Sequence, residues 1–195
     1  MNRLGLDYSS ARPSTAALKA AGVTFVVRYL SGGSSKDITA AEARALTDAA
    51  IDIVLVWETT ANRAEAGFDA GVADARAAQH EAITVGMPVR RPIYFAVDED
   101  TTVGPHITAY FKGIASVLDV ARIGVYGGFA VVKGCLDAGL VTFAWQTSSW
   151  SHGQREARAH LFQDNNAHAP IPDTDVDHAL KDDFGQWNLD DGTQP

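Results

Sequence analysis

The sequence predicts an α/β fold, a modified (β/α)8 barrel of the TIM type with reduced helices near the C-terminus. Eight short runs rich in β-branched residues recur along the chain, at residues 4–8, 25–30, 53–58, 93–99, 122–128, 142–148, 160–163 and 175–178. Helical segments separate the early runs, as parallel strands with crossover connections require. The chain lacks a glycine-rich dinucleotide-binding fingerprint, which favours a closed barrel over an open doubly wound sheet. Such barrels usually need about 250 residues and rarely fewer than about 200, so a chain of 195 residues predicts shortened or missing helices.

The helices have recognisable start and stop signals. Thr39 and Glu42 form a capping box that predicts a helix reaching about residue 50. Further apolar stripes at helical spacing cover residues 68–85, which include Phe68 and Ile83, and then 107–118 and 129–137. Helical signals are weak at residues 153–158 and around residue 169, where we expect the reduced helices.

Composition indicates one domain and excludes several classes of partner. The chain is 46% apolar, so residues 1–188 are predicted to form the barrel domain and residues 189–195 a tail or linker. A net charge of −8 repels phosphate backbones and anionic lipid headgroups, and we predict no nucleic-acid partner, no membrane insertion and a monomer. The single cysteine, Cys135, cannot form an internal disulfide or a clustered-thiolate zinc site, and a packed, inert thiol is expected.

The ends of the predicted strands carry polar side chains. In a parallel barrel the catalytic residues lie at the C-terminal ends of the strands, and alternate residues point inward. With that spacing the strands supply, in order, Asp7, Arg28, Glu58, Asp98, Tyr126, Gln146, Gln163 and Asp177. Singly, each has a structural alternative: Asp7 as a turn cap, Arg28 as the partner of a buried acid, the glutamines as bridges between backbone groups. Together they predict a polar, ligand-binding mouth.

Acidic side chains with neighbouring aromatic rings are typical of sugar-binding sites. Carboxyl pairs supply the acid and the base or nucleophile of glycoside hydrolysis, and aromatic faces pack on sugar rings. Aromatic residues lie at or just beyond the predicted strand ends: Tyr8, Tyr29, Trp57, Tyr126, Trp145, Trp150 and Trp187. We predict that Trp145 and Trp150 contact the substrate.

Several segments, in order along nearly the whole chain, carry a family resemblance. They are GLDYS at 5–9, VRYLS at 27–31, VLVWE at 54–58, YFAVDED at 94–100, GVYGG at 124–128, WQT at 145–147 followed by WS at 150–151, and DVD at 175–177. This set resembles the glycoside-hydrolase-like domain family of actinobacterial exported proteins and phage lysins, a distant relative of the glycoside hydrolase family 25 lysozymes. The resemblance implies a modified barrel that cleaves, or at least binds, the glycan of bacterial cell walls.

The resemblance also implies roles for individual acids. The lysozyme motif on strand four is Tyr-Phe-Asp-Val-Glu, whose last carboxylate is the general acid; here Ala96 stands at the Asp position and Asp98 at the Glu position. Asp7 and Asp177 match the aspartates of strands one and eight. The implied activity is muramidase-type hydrolysis of peptidoglycan, with Asp98 as general acid and Asp7 and Asp177 stabilising or activating the attacking group.

Ala96 at a family acidic position leaves alternatives open. Either Asp100 or Glu58 supplies the missing carboxylate, or the protein is a non-catalytic carbohydrate-binding domain that kept the barrel. A third alternative is a metal-dependent hydrolase, because Asp7, Glu58, Asp98 and Asp100 could bind a divalent cation through hard oxygens. Since no histidine pair at ligand spacing accompanies these acids, we predict neither a metal nor another cofactor.

The expected place of action is outside the cell or at the cell wall. The longest apolar runs are interrupted within about ten residues, and the first predicted strand begins almost at Met1, so we expect no signal peptide in this chain. A phage lysin released by lysis, or a domain excised from a longer exported protein, fits both expectations. The predicted partner is the polysaccharide of the bacterial cell wall.

Overall fold

A computed structural model describes residues 3–190 and places eight strands in a closed barrel, in chain order. The strands are β1 (Arg3–Asp7), β2 (Phe25–Leu30), β3 (Asp52–Trp57), β4 (Ile93–Val97), β5 (Ile123–Gly127), β6 (Phe143–Thr147), β7 (Leu161–Gln163) and β8 (Asp175–Ala179). The α-helices are α1 (Thr15–Ala20), α2 (Ala40–Asp48), α3 (Phe68–Thr84), α4 (Pro105–Ala115) and α5 (Phe129–Asp137). The predicted modified TIM-type barrel is confirmed.

The helices are reduced toward the C-terminus, as the sequence predicts. Residues 148–160 connect β6 to β7, and residues 164–174 connect β7 to β8, both without an α-helix. The outer face of β7 is therefore covered by loops.

The last strand runs against the others. Strands β1 to β7 pair in parallel, whereas β8 is antiparallel to both β7 and β1. The helix-free connection before β8 permits this return, because parallel pairing needs a longer crossover than antiparallel pairing. The expectation that β8 ends at the mouth is wrong: Asp175, its first residue, pairs with Asp7, and Asp177 pairs with Gly5 one pleat deeper.

Buried side chains form two layers, one on each face of the strands. The barrel interior contains alternate strand residues such as Val27, Val56 and Tyr94. The other residues, such as Val26 and Phe95, pack between the barrel and the helices together with the buried thiol of Cys135. This alternation decides which strand-end side chains face the barrel axis.

Helix α2 begins at the predicted cap with one difference. The Thr39 hydroxyl accepts a hydrogen bond from the Glu42 backbone N–H at 3.1 Å. The Glu42 side chain, however, pairs with Arg28 on β2 at 2.7 Å. Only half of the predicted capping box forms, because the acid neutralises a buried cation instead.

The buried face of helix α3 coincides with the predicted stripe only in part, at Ala75 and Ala82. Phe68 and Ile83 are 47% and 53% exposed, whereas small residues, chiefly alanines and Gly71, are buried. A Cβ atom at Gly71 would lie 2.0 Å from the Tyr110 carbonyl oxygen of α4, and one at Gly113 would lie 2.1 Å from the Phe68 carbonyl oxygen. The two helix backbones therefore approach so closely that larger side chains are displaced from the contact.

The chain after β8 closes the barrel end opposite the mouth. Trp187 is fully buried and exchanges two backbone hydrogen bonds with Ile53, near the start of β3, and the Phe184 ring packs on Phe25. The expectation that Trp187 lies at the mouth is therefore wrong. Of the predicted tail, the Leu189 N–H donates to Thr47 Oγ1 at 3.1 Å, and residues 191–195 lie outside the described residues. Within residues 3–190 no helix is long and apolar enough to cross a bilayer.

Candidate functional site

A polar pocket of about 380 Å³, here called the mouth pocket, opens at the C-terminal end of the parallel strands. Its lining residues are Ser9, Tyr29, Lys36, Glu58, Asp98, Tyr126, Ser149, Trp150, Gln163, Asn165 and Asp175. The structure thus brings together six residues named from the sequence, namely Tyr29, Glu58, Asp98, Tyr126, Trp150 and Gln163. They lie in β2, β5, β7 and the β6–β7 connection or directly after β3 and β4, so closure of the barrel brings them together.

Asp98 is a half-buried carboxylate in the wall of the mouth pocket. It directly follows β4, and its backbone N–H donates to the Ala61 carbonyl oxygen at 3.2 Å. The Trp150 indole N–H donates to Asp98 Oδ1 at 2.9 Å. Trp150 thus holds the carboxylate in place and presents its own ring to the same pocket.

Glu58 and Lys36 form an ion pair at the pocket wall. Lys36 Nζ lies 2.9 Å from Glu58 Oε1 and 4.9 Å from the centroid of the Tyr29 ring. Lys36 offsets one of the three lining carboxylates, which are Glu58, Asp98 and Asp175. The mouth pocket therefore carries a net negative charge.

Two further carboxyl groups lie beneath this pocket, inside the barrel. Asp7 is 2% exposed and accepts hydrogen bonds from the Tyr29 hydroxyl at 3.1 Å and from Gln163 Nε2 at 2.7 Å. Asp177 is fully buried and accepts a hydrogen bond from the Trp145 indole N–H at 2.9 Å. Tyr29 and Gln163, which line the pocket, separate this buried pair from solvent.

Burial dominates the titration of this carboxyl pair. Removal from water raises the pKa of Asp7 from its usual 3.8 to about 7, although the hydrogen bond from Gln163 opposes the shift. Burial also raises the pKa of Asp177 well above its usual value, and the neighbouring Asp7 carboxyl raises it further. Asp177 Oδ2 has no hydrogen-bond partner within the described residues. The pair therefore retains a proton at pH values where exposed aspartates are ionised.

Arg28 does not reach the mouth pocket, which corrects the expected binding role. Its neighbours on β2, Val27 and Tyr29, face the barrel axis, so Arg28 faces outward and is fully buried against α2. There its Nε donates to Glu42 Oε1 at 2.7 Å, and its guanidinium lies 4.2 Å from the centroid of the Tyr8 ring. The alternative that Arg28 is the partner of an acid is correct in kind, but the acid is Glu42 rather than Asp7 or Glu58.

Gln146 also faces outward, and it organises the β6–β7 connection. Its Nε2 donates to Ser151 Oγ at 2.7 Å and to the Gln154 carbonyl oxygen at 2.8 Å, and its Oε1 accepts from the Glu156 N–H at 2.8 Å. These three hydrogen bonds hold the segment that carries Trp150. The expected contact between Gln146 and substrate is therefore replaced by a structural bridge.

Trp145 is the inward-facing neighbour of Gln146, but it does not line the pocket. Its ring is buried inside the barrel, 4.3 Å from the Tyr126 ring centroid to centroid, and its N–H is used by Asp177. The prediction that Trp145 contacts substrate is wrong in this conformation, because Tyr126 lies between it and the pocket opening.

Asp100 lies outside the mouth pocket. It is exposed, and its Oδ1 lies 3.0 Å from His152 Nε2. The four acids considered for a divalent cation are thus separated, with Asp7 buried and Asp100 on the surface. Among residues 3–190 no group of three or more histidine, cysteine or acidic side chains could hold a metal ion.

Comparison with known proteins identifies the family. A family model described as the Rv2525c-like, glycoside hydrolase-like domain matches residues 16–191. The chain belongs to this family. No curated protein matches the chain.

Solved structures place this glycoside hydrolase-like domain among barrels of the same kind. The Tat-secreted protein Rv2525c of Mycobacterium tuberculosis superposes with a TM-score of 0.87 at 28% identity, covering 95% of this chain and 98% of that one. The autolysin LytC of Streptococcus pneumoniae, solved with a synthetic peptidoglycan ligand, gives 0.64 at 14% identity over 91% of this chain and 46% of that one. The catalytic domain of endolysin ply40 from Listeria monocytogenes bacteriophage P40 gives 0.59 at 16% identity, covering 94% and 95%. The last two likenesses show the fold alone.

Sequence reasoning on this Rv2525c-like domain missed five polar residues of the mouth pocket, namely Ser9, Lys36, Ser149, Asn165 and Asp175. Lys36 and Asn165 lie on connections, which a search restricted to strand ends does not reach. Asp175 could have been found from the sequence, because it lies two residues from Asp177 and so shares the inward face of β8. It lies at the mouth because β8 is antiparallel and begins there.

Proposed function

We propose that this protein binds the glycan strand of bacterial peptidoglycan in the mouth pocket and hydrolyses its β-1,4 glycosidic bond. The observation that carries the proposal is the composition of that pocket, in which the carboxylates of Glu58, Asp98 and Asp175 lie beside the rings of Tyr29 and Trp150. Glycosidases act through carboxyl groups flanking the bond that breaks, and aromatic faces bind the apolar faces of sugar rings.

Asp98 is the proposed general acid. It is half-buried and fixed by Trp150, and its proton goes to the glycosidic oxygen as the bond between that oxygen and the ring carbon breaks. Glu58, held by Lys36, is the proposed second carboxylate, which stabilises the positive charge that develops on the sugar ring. Water then adds to the ring carbon and gives up a proton to the Asp98 carboxylate, which restores the acid. Glu58 thereby takes the role of the acid that Ala96 lacks.

Asp7 and Asp177 are proposed to act as positioning residues. Asp7 contacts the pocket-lining Tyr29 and Gln163 from below, and Asp177 is buried beside it against Trp145, so neither acid would touch the sugar directly. Because Asp7 accepts hydrogen bonds from the Tyr29 hydroxyl and the Gln163 amide, and Asp177 accepts one from the Trp145 indole, the buried pair would set the shape of the surface on which a sugar rests.

The named relatives support a cell-wall substrate. LytC is an autolysin solved with a peptidoglycan ligand, and ply40 is an endolysin of a bacteriophage. Rv2525c, which is 28% identical to this chain, is described as Tat-secreted. We therefore extend the proposal to location: the protein acts as a monomer on the cell wall, outside the cytoplasm.

The test is digestion of purified peptidoglycan followed by mass spectrometry of the released muropeptides. Asp98→Asn should lower the rate of reducing-end release by about 10²-fold or more, because a general acid contributes about 10²–10⁴-fold. Asp69→Asn, an exposed acid on α3 outside the mouth pocket, is the matched control and should keep the wild-type rate. Unchanged release by Asp98→Asn would remove this residue from the mechanism.

A second candidate function, glycan binding without turnover, is favoured by a specific observation. Ala96 lies on the inward face of β4 one pleat below Asp98 and offers no carboxylate, while Asp7 and Asp177 are covered. A binding domain predicts retention on insoluble peptidoglycan with no release of reducing ends. In that case Trp150→Ala should abolish retention, whereas Asp98→Asn should leave most of it.

A further inference from the structure

A second pocket, here called the outer pocket, lies on the outside of the barrel beside β7. It has a volume of about 240 Å³, and Arg155, Phe162 and Asp164 are among its lining residues. Phe162 points outward because its neighbours Leu161 and Gln163 face the barrel axis. In a complete (β/α)8 barrel a helix would cover this face, so the pocket occupies the space that the missing helices leave.

The outer pocket presents two opposite charges that do not pair with each other. The Arg155 guanidinium stacks over the ring of buried Phe162. Asp164 accepts a hydrogen bond from the Asn166 N–H at 3.1 Å. Within residues 3–190 neither Arg155 nor Asp164 forms an ion pair, although both line the same cavity. A planar cation and a carboxylate are therefore available to one ligand.

The outer pocket shares a wall with the mouth pocket. Ser149 and Asn165 line the mouth pocket, whereas their neighbours Ser148, Asp164 and Asn166 line the outer pocket. Hydrogen bonds close the wall between them, since Asn165 Oδ1 accepts from Ser148 Oγ at 2.9 Å and its N–H donates to the same hydroxyl at 2.9 Å. A substituent on a sugar in the mouth pocket would thus pass over this wall to reach Arg155.

The charge distribution fits a substituent that carries a carboxylate. With Asp98 protonated as the proposed general acid and Glu58 paired with Lys36, the Asp175 carboxylate still repels a substrate carboxylate from the mouth pocket. Arg155 offers an unpaired cation just beyond the wall. Asp164 in turn suits an ammonium or amide donor on the same substituent.

We propose that the outer pocket binds the peptide substituent of the glycan strand, with a peptide carboxylate on Arg155 and an amino or amide group on Asp164. This rests on the proposed function, in which the mouth pocket holds a sugar. The protein would then discriminate between peptide-bearing and bare glycan by contacts outside its catalytic pocket.

The test compares three probes by NMR titration of the full chain. They are the disaccharide GlcNAc-MurNAc carrying L-Ala-γ-D-Glu-L-Lys, the same tripeptide alone, and N,N′-diacetylchitobiose. We expect the wild type to bind the peptide-bearing disaccharide about tenfold more tightly than the chitobiose, the factor typical of one charge-assisted contact. The tripeptide alone should shift the Arg155 side-chain signal.

Variants assign the effect to the outer pocket. Arg155→Gln should remove the tenfold preference and leave chitobiose affinity unchanged, whereas Arg155→Lys should keep part of it because the charge remains. Asp164→Asn should weaken only probes that carry the lysine amine. Arg44→Gln, an exposed arginine on α2, is the matched control and should behave as wild type.

The failures are distinguishable. Equal affinity for both sugars in the wild type, or an Arg155→Gln variant that weakens both equally, overturns the peptide site and leaves the proposed function standing. If neither sugar binds, the proposed function fails. The tripeptide alone then still tests the outer pocket, because the absence of a shift in the Arg155 side-chain signal would overturn the peptide site.

Discussion

Replacing Asp177 by asparagine should stabilise the protein at alkaline pH, because the wild type buries two carboxyl groups side by side. Asparagine has nearly the same shape, so its oxygen can keep the hydrogen bond from the Trp145 indole. Its amide nitrogen would replace Oδ2, the buried oxygen without a partner, and could donate to the Asp7 carboxylate. The substitution thus removes the buried negative charge of Asp177 and gives the Asp7 carboxylate a hydrogen-bond donor.

The size of the effect follows from the raised pKa of Asp7. Its folded-state value of about 7 exceeds the usual 3.8, so above about pH 4 the native state binds more protons than the unfolded chain. The stabilising contribution is complete below about pH 4 and is lost as pH rises through about 7. From pH 5 upward Asp7 alone contributes about two pH units at roughly 1.4 kcal/mol each, or about 3 kcal/mol, and the raised pKa of Asp177 adds to the loss in the wild type. With an amide donor beside Asp7 the loss should fall to about 1 kcal/mol, since a hydrogen bond to a charged group contributes about 1.5–3 kcal/mol.

Urea unfolding followed by tryptophan fluorescence, at pH 5, 6, 7 and 8, measures both curves. Titrating groups common to wild type and variant, including His160 and Asp175, cancel in the difference between the curves. Asp69→Asn serves as the control, because this exposed acid lies outside the barrel interior and should keep the wild-type pH dependence. An Asp177→Asn variant that loses as much stability from pH 5 to pH 8 as the wild type would refute the argument.

Three further substitutions test the packing around the site. Gly71→Ala should lower the free energy of unfolding by about 1–3 kcal/mol, because the new methyl group would overlap the Tyr110 carbonyl oxygen. An unchanged melting temperature would contradict the close helix contact. Gln146→Leu should speed hydrogen exchange in residues 148–156 and weaken saccharide binding through Trp150, and wild-type exchange there would show that the bridge is dispensable. Arg28→Met leaves Glu42 with only the longer ion pair to Arg12 at 3.8 Å and should cost about 1.5–3 kcal/mol of unfolding free energy without changing saccharide affinity; a drop in affinity at unchanged stability would return Arg28 to the site.

Much of the fold could be predicted because strands and helices each have a distinct local spacing of apolar residues. Short β-branched runs separated by helical stripes define the strands and helices, and the weak signals at residues 153–158 and 169 locate the missing helices. The alternation of inward and outward residues along each strand correctly placed Glu58, Asp98 and Gln163 at the mouth, because each lies at a strand end that opens into the pocket.

The same reading failed at Arg28 and Gln146 for a physical reason. A shift of one residue exchanges the inner and outer faces of a strand, and both residues are polar on an outer face that is usually apolar. Their polarity is explained by partners far away in sequence, Glu42 on α2 and the loop that follows β6, which no local pattern reveals.

The sequence by itself determined the order of strands and helices, the barrel of eight strands and the presence of acids at its open end, because these follow from hydrophobic periodicity and from the number of strand-like runs. The tertiary structure decided which acids meet the pocket. The direction of β8 put Asp175 at the opening and Asp177 below it. Because Asp7 is buried beneath Tyr29 and Gln163, the pair of Asp7 and Asp177 is separated from the carboxylates that line the mouth pocket. Burial and strand direction arise from contacts between distant segments, and only the closed barrel brings those segments together.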